Sequence, residues 1–194
     1  MQKRVNITEQ MFAQMMKGSV SGLVYLHDQG IVHNDLKPEN ILACSDGPQP
    51  RLVVTDFACA SKGQLAAGRT SCCDDGKVLF GDPRYMAPEI MKMMMHHLSG
   101  GLLTKAEPAG ANVDMWALGA IVYEILCVGA LPFLYVKVGP RELQRAFYKF
   151  YDEVTSDREV KFDNWTCGQD SKALLANILQ KDLAKRKQFT ASIA

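Results

Sequence analysis

Residues 117–136 form an almost wholly apolar stretch, and this stretch constrains the fold more than any other part of the sequence. Its length would be enough to cross a bilayer as one helix. However, Glu124 lies inside it, Pro132 lies near its end, and no basic residue lies directly before it. A helix that is apolar on every side is also typical of the centre of a large core. We therefore expect a buried central helix over residues 113–128 and regard a membrane-spanning helix as the weaker alternative.

Helical periodicity also marks the beginning of the chain. Thr8 suits the N-cap position of a helix, and Glu9 suits its first turn. Apolar residues then recur at three- and four-residue steps until Gly30, which predicts an amphipathic helix that ends there. Further helical patterns cover residues 141–151 and 171–180.

A small β-hairpin is predicted after this first helix. Two short apolar runs, at residues 41–43 and 52–54, flank residues 45–50, which are rich in turn formers. Residues 56–89 are mostly polar and contain several glycines. An irregular segment of that length inside a compact domain is usually functional or disordered. The predicted fold class is therefore mainly α with one short β-hairpin.

Charge and composition give no reason to expect nucleic acid or a membrane as a partner. The 22 basic and 21 acidic residues nearly cancel and leave a formal net charge of +1. The six cysteines include no C-x-x-C pair, so a zinc cluster is not predicted and reduced, intracellular thiols are expected. No apolar signal-peptide core follows Met1. We expect the protein to be located in the cytoplasm or the nucleus.

The most informative segment is the run at residues 33–40, which lies between the first helix and the predicted hairpin. It reads His33-Asn34-Asp35-Leu36-Lys37-Pro38-Glu39-Asn40. Four more motifs follow it in order: Asp56-Phe57-Ala58, Ala87-Pro88-Glu89, Asp114-Met115-Trp116-Ala117-Leu118-Gly119, and Lys181-Asp182 with Arg186. In this order and spacing, the set resembles the signature of the eukaryotic-type protein kinase superfamily. The sequence Leu-Lys-Pro-Glu at residues 36–39 resembles the Ser/Thr class.

The resemblance implies that residues 1–194 are part of a protein kinase domain, namely its C-terminal or large lobe. A kinase-like C-terminal lobe is mainly α with a short β-hairpin, whereas the complete family domain is α+β. No glycine-rich G-x-G-x-x-G segment occurs in the chain, so the resemblance implies that the N-terminal or small lobe is absent from it. We expect the full-length protein to supply that lobe, together with the Lys that pairs the ATP phosphates.

The same resemblance implies a protein serine/threonine kinase that uses ATP and Mg2+ and acts on a protein substrate with a Ser or Thr acceptor. Asp35 would accept the proton of the attacking hydroxyl. Lys37 would contact the nucleotide and steady the transferred phosphoryl oxygens. Asn40 and Asp56 would bind Mg2+, a cation that prefers oxygen ligands.

Other matched positions are expected to shape the site rather than to perform chemistry. By the resemblance, Leu42 would lie under the adenine ring, with Ile121 and Ile125 beneath it. Asp114 is expected to support the backbone of residues 33–40. A buried structural ion pair is expected between Glu89 and Arg186.

The chain departs from the family pattern at three site positions. Asn34 replaces an Arg that pairs with a phosphorylated loop, and Asn cannot make that charge-assisted contact. Ala58 replaces a Gly after Asp-Phe, and Ala resists positive φ angles. Asp82 replaces a Thr, and we expect its carboxylate to compete for Lys37 and to repel Asp35.

These departures leave alternatives open. A non-catalytic kinase-like module that binds partners through the large lobe is the second hypothesis. A small-molecule phosphotransferase is the third, because such enzymes share His-x-Asp and a later Asp, but the motifs at residues 87–89 and 114–119 argue against it, since by the resemblance they shape a peptide-substrate site. Separately, the Met and His residues at positions 91–97 could hold Cu(I), although the end of a helix is the favoured interpretation.

Overall fold

The computed structural model of the chain describes residues 8–45, 50–62, 81–100, 110–127, 131–133, 142–162, 165 and 167–186. Within these residues the fold is rich in helix, with a few short antiparallel strands. The elements in chain order are α1 Glu9–Asp28, β1 Ile31–Val32, a first 3-10 turn Pro38–Asn40, β2 Ile41–Cys44, β3 Arg51–Val54, β4 Ser61–Lys62, a second 3-10 turn Pro83–Tyr85, α2 Pro88–Leu98, α3 Asn112–Leu126, α4 Leu143–Thr155 and α5 Gln169–Ile178.

Helix α1 begins and ends where the sequence predicts. The Thr8 hydroxyl accepts a hydrogen bond from the Met11 N–H at 3.2 Å, as an N-cap residue does. Gly30 follows the helix with a φ of 69°, a conformation that glycine adopts without steric cost. One face of α1 is buried in the core, through Phe12, Met16 and Leu23 among others.

Helix α3 is the predicted central helix. Every residue at positions 113–121 is buried, and α3 packs against α5 and against the second 3-10 turn. Glu124 is satisfied inside this apolar sequence because its carboxylate accepts a hydrogen bond from the Tyr85 hydroxyl at 2.6 Å. Among the described residues, no helix combines the length and the hydrophobicity needed to cross a membrane.

The predicted hairpin is confirmed, with β2 and β3 antiparallel and Ile41 opposite Val54. It packs on α1 through β3. The approach is so close that a Cβ atom on Gly18 would lie 2.6 Å from the carbonyl oxygen of Leu52. The turn of the hairpin at residues 46–49 lies outside the described residues, as do residues 63–80 of the predicted irregular segment.

The remaining helices differ from the sequence prediction in small ways. Helix α4 continues to Thr155, beyond the predicted end at residue 151, and α5 begins at Gln169 rather than at residue 171. The Met-rich run lies in α2, where Met91 and Met94 are buried in the core. Their thioethers therefore serve as packing groups, and the described residues contain no cluster of His, Cys, Asp or Glu that could hold a metal ion.

Candidate active site

The segment at residues 33–40, here called the catalytic loop, is held from beneath by a buried carboxylate. Asp114 lies in the first turn of α3, and its side chain is 1% exposed. One of its oxygens accepts hydrogen bonds from the N–H of His33 at 2.8 Å and lies 2.8 Å from Nε2 of His27, while the other accepts from the N–H of Asn34 at 2.9 Å. Asp114 therefore supports the loop backbone, as expected.

Within this loop, Asp35 is surrounded by hydrogen-bond donors. Nζ of Lys37 lies 2.7 Å from Oδ2 of Asp35. The Asn40 side-chain amide donates to the Asp35 backbone oxygen at 2.8 Å and lies 3.4 Å from Oδ2. The backbone N–H of Asp82 donates to Oδ1 of Asp35 at 2.9 Å. Hydrogen bonding to Asp35 raises the pKa of Lys37, so the ammonium stays charged beside the carboxylate.

Asp56 lies two residues after the end of β3, next to a residue that is bonded to the catalytic loop. The N–H of Thr55 donates to the Asn40 carbonyl at 2.9 Å, which joins the end of β3 to the catalytic loop. Nε2 of His33 lies 2.9 Å from the Thr55 carbonyl oxygen, and the His33 ring packs 5.3 Å from the Phe57 ring. Asp56 itself is exposed, with a φ of 62°. Its carboxylate and the Asn40 side chain are oxygen donors of the kind that Mg2+ prefers.

Asn34 does more in the structure than the sequence suggests. It adopts a φ of 66°, which Asn tolerates better than most residues. Its side-chain amide lies within hydrogen-bond distance of the carbonyl of Val32 at 3.2 Å, the carbonyl of Cys59 at 2.9 Å and the hydroxyl of Ser61 at 2.9 Å. It therefore ties the catalytic loop to the segment after Asp56, next to the short β1–β4 pair.

The prediction that Asp82 competes for Lys37 is wrong. Its carboxylate does not take Lys37 from Asp35, because it is paired with Arg84 two residues later. Nε of Arg84 lies 3.1 Å from both Asp82 oxygens, and Nη2 lies 2.7 Å from Oδ2. The second 3-10 turn brings the two side chains together, because Asp82 is its N-cap. Lys37 remains with Asp35.

The apolar residues near the site are partly open to solvent. Leu42 is 51% exposed and Phe57 is 48% exposed, whereas Val54 packs partly against the core. Ile121 is fully buried in α3, and Ile125 is 42% exposed. The adenine contact of Leu42, with Ile121 and Ile125 beneath it, stays a prediction.

The predicted ion pair between Glu89 and Arg186 is present. The two side chains form a bidentate pair, with distances of 2.6 Å and 2.9 Å between nitrogen and oxygen. The Arg186 guanidinium is fully buried, lies over the Trp116 ring, and also donates to the backbone oxygens of Gln180 and Asn112. This pair fixes the beginning of α2 against the beginning of α3.

Comparisons with known proteins agree with this geometry. The sequence pattern described as "Protein kinase domain" matches residues 1–193. Smooth-muscle myosin light chain kinase of Gallus gallus is 32% identical over 190 residues, which cover 95% of this chain and 8% of that protein. Serine/threonine-protein kinase H1 of Homo sapiens is 36% identical over 131 residues, which cover 66% of this chain and 26% of that protein. The chain therefore spans a small part of the length of these relatives.

Proposed function

Because the chain belongs to the protein kinase domain family, we propose that it is the large-lobe part of a serine/threonine kinase. It transfers the γ-phosphoryl group of ATP to Ser or Thr hydroxyls of a protein substrate. The observation that carries this proposal is the setting of Asp35. Its carboxylate is held between the ammonium of Lys37 and the N–H of Asp82, with Asn40 beside it. The family typically uses ATP and Mg2+.

The residues of this chain divide the work of the transfer. Asp35 accepts the proton of the attacking hydroxyl. Hydrogen bonds to both of its carboxylate oxygens fix the orientation of the Asp35 side chain. Lys37 keeps its charge, because its pKa is raised, and can neutralise the transferred oxygens. Asn40 and Asp56 are the residues that would hold Mg2+, which supplies charge neutralisation when it is bound.

The division of the domain is also a proposal. Residues 1–194 would supply the catalytic loop and the metal ligands, and the small lobe would be supplied elsewhere in the full-length protein. The open apolar side chains of Leu42 and Phe57 support this arrangement, because a nucleotide and a second lobe would cover them. A cytoplasmic or nuclear location is proposed for the same protein.

The test is a radiolabelled phosphotransfer assay on the full-length protein with ATP and Mg2+. We expect label on Ser and Thr residues of protein substrates, and nearly none with Asp35→Asn. Asp157→Asn, which changes an exposed carboxylate after α4, is the matched control and should keep full activity. Equal activity in the Asp35→Asn and Asp157→Asn proteins would contradict the proposal.

A non-catalytic kinase-like module remains a second candidate. The observation that favours it is that Asp82 stands where the family pattern has a Thr that contacts the base and the Lys, and that its side chain pairs with Arg84 instead. This candidate predicts no phosphotransfer by the full-length protein under any condition. The same assay therefore decides between the two functions.

A further inference from the structure

We propose that Arg84 is a positioning residue that holds the carboxylate of Asp35 through Asp82. The effect of Arg84 on catalysis rests on the proposed function, whereas the hydrogen bond from the Asp82 N–H to Asp35 can be measured without any activity. In this arrangement the carboxylate at position 82, which departs from the family pattern, helps to fix the base instead of disturbing it.

The first part of the argument is the double role of Asp82. Its side chain caps the second 3-10 turn, because Oδ1 accepts a hydrogen bond from the Arg84 N–H at 2.9 Å. Its own backbone N–H donates to Oδ1 of Asp35 at 2.9 Å. The direction of that N–H therefore depends on how firmly the Asp82 side chain is anchored.

Arg84 supplies that anchor. Its guanidinium contacts both oxygens of Asp82, at distances from 2.7 to 3.1 Å, which fixes the orientation of the carboxylate as well as its position. The guanidinium also lies 5.1 Å from the centre of the Tyr85 ring. Tyr85 is 2% exposed and is bound to Glu124, so Arg84 rests on a fixed surface.

The charges agree with this anchoring. Burial would by itself raise the pKa of Asp82, but the hydrogen bonds and the charge of Arg84 outweigh burial and lower it. Asp82 is therefore ionised. Because the Arg84 guanidinium neutralises its charge, the repulsion between Asp82 and Asp35 is weakened. Nη2 of Arg84 also lies 3.4 Å from Glu39, on the open side of the pair. The Asp82 and Arg84 side chains are only 22% and 30% exposed, which limits the screening of their interaction by solvent.

Gly81 allows this segment to lie against the catalytic loop. A Cβ atom at position 81 would lie 2.6 Å from the backbone oxygen of Asn34 and 2.9 Å from Oδ1 of Asp35. No side chain fits there. Asp35 is consequently held at Oδ1 by the Asp82 N–H and at Oδ2 by Lys37, and these two contacts define the plane of its carboxylate. If the hydrogen bond from the Asp82 N–H is lost, the Asp35 carboxylate can rotate while it stays bonded to Lys37.

The deciding experiment measures amide hydrogen exchange by mass spectrometry in the full-length protein. A peptide that begins several residues before Asp82, fragmented by electron transfer, resolves the Asp82 amide from those of Arg84 and Tyr85, and Pro83 carries no amide of its own. Arg84→Ala should speed exchange at Asp82 about tenfold, because a hydrogen bond to a charged group is loosened. Arg145→Ala, which removes an exposed Arg of α4, is the matched control and should change nothing. Unchanged exchange at Asp82 in the Arg84→Ala protein would overturn the inference.

A double-mutant cycle shows whether Arg84 acts through Asp82. In the Asp82→Asn background the bidentate pair is already weakened, so adding Arg84→Ala should change exchange at residue 82 far less than it does in the original sequence. Additive effects of the two substitutions would overturn the inference. Arg84→Lys, which keeps one charged contact, should recover part of the protection that Arg84→Ala loses.

Kinetics separate this inference from the proposed function. Arg84→Ala should lower kcat about tenfold and leave KM for ATP and for the protein substrate unchanged, because the base is misoriented while binding is not touched. If Asp35→Asn abolishes transfer but Arg84→Ala leaves kcat unchanged, the inference fails and the proposed function stands. If Asp35→Asn keeps its activity, the proposed function fails, and the exchange measurements alone then decide whether Arg84 holds Asp35.

Discussion

The catalytic loop and the segment around Asp56 are held in different ways. The loop receives hydrogen bonds from remote parts of the chain, including Asp114 of α3 and Asp82 of the second 3-10 turn. Asp56, by contrast, is exposed. Its carboxylate accepts a hydrogen bond from the N–H of Ala58, only two residues away, at 3.3 Å. The chain thus holds the proposed base firmly, whereas Asp56, the proposed metal ligand, lies open to solvent. Under the proposed function, the difference means that the base is positioned by this chain's own contacts, whereas the nucleotide has to be enclosed by other groups.

The largest expected effect is a complete loss of turnover when the chain is assayed without the small lobe, because the proposed nucleotide site then stays open to solvent. The 194-residue chain by itself should bind ATP and Mg2+ weakly and transfer no measurable phosphate, because the contacts are screened by water and the nucleotide is positioned by part of its usual contacts. Calorimetric titration and a radiolabelled assay would measure this. Micromolar binding together with turnover that disappears in Asp35→Asn would show that another part of this chain closes the site.

The second prediction separates the two regions within the full-length protein. Asp35→Asn should lower kcat on the order of 10²–10⁴-fold and leave Mg2+-dependent nucleotide binding intact, because Asp35 is the proposed base and not a proposed metal ligand. Asp56→Asn should lower kcat by a similar factor and should also weaken nucleotide binding. Titration with ATP in the presence and absence of Mg2+ checks the difference. Equal nucleotide affinity in both variants would contradict the metal role of Asp56.

The third prediction concerns the buried ion pair between Glu89 and Arg186. Glu89→Ala should destabilise the protein by about 3–5 kcal/mol, because it leaves the fully buried guanidinium of Arg186 without its partner. Glu142→Ala, at an exposed carboxylate before α4, serves as the control. Thermal unfolding measures both. A melting temperature that falls equally little in the two variants would refute the structural role of the pair.

The fourth prediction concerns the link between the two regions. Asn34→Gly should destabilise the protein by about 1–3 kcal/mol, because the hydrogen bonds to Cys59 and Ser61 are lost while the positive φ is tolerated. Asn34→Ala should cost roughly 1 kcal/mol more, since Ala also resists that backbone conformation. Thermal unfolding of the pair of variants separates the side chain from the backbone. Equal stability of the two would mean that the φ angle carries no strain.

The smallest effect is expected far from the site, where Glu9 of α1 joins the N-terminus of α5. Hydrogen bonds from the Ser171 hydroxyl and the Gly168 N–H lower the pKa of Glu9. A carboxyl with a lowered folded-state pKa stabilises the protein above its unfolded pKa, and this stabilisation is lost as the pH falls through the folded value. Glu9→Gln should therefore lower the melting temperature at pH 7 by less than about 2 °C and have less effect below about pH 4.

The control for this pH dependence is Glu159→Gln, which changes an exposed carboxyl. It should have the same small effect at both pH values. A difference between the original protein and Glu9→Gln that grows as the pH falls would contradict the hydrogen bonds at Glu9.

Those elements whose sequence pattern is long and regular could be predicted. The central helix α3 follows from a stretch that is apolar on all sides, and α1 follows from its cap and its periodicity. The β1–β4 pair could not be predicted, because two residues per strand leave no alternation to detect. In the same way, the contact between Glu9 and α5 joins parts of the chain that only the folded structure brings together.

The site shows the same division. The resemblance to the kinase family predicts the supporting role of Asp114 and the pairing of Glu89 with Arg186. It gives the wrong environment for Asp82, because the partner of that carboxylate depends on the 3-10 turn that brings Arg84 back to it. The contacts of Asn34 depend on its positive φ, which a sequence pattern does not reveal.

The pairing of Glu89 with Arg186 has a consequence for synthesis on the ribosome. The two residues are 97 positions apart. At roughly 5–20 residues per second, translation needs on the order of 5–20 s to add Arg186 after Glu89 has been made. During that interval the beginning of α2 has its carboxylate but no guanidinium to hold it. A nascent chain that stops before Arg186 therefore cannot form this ion pair, and the contact that Arg186 makes between Glu89 of α2 and the backbone oxygen of Asn112 in α3 is lost with it.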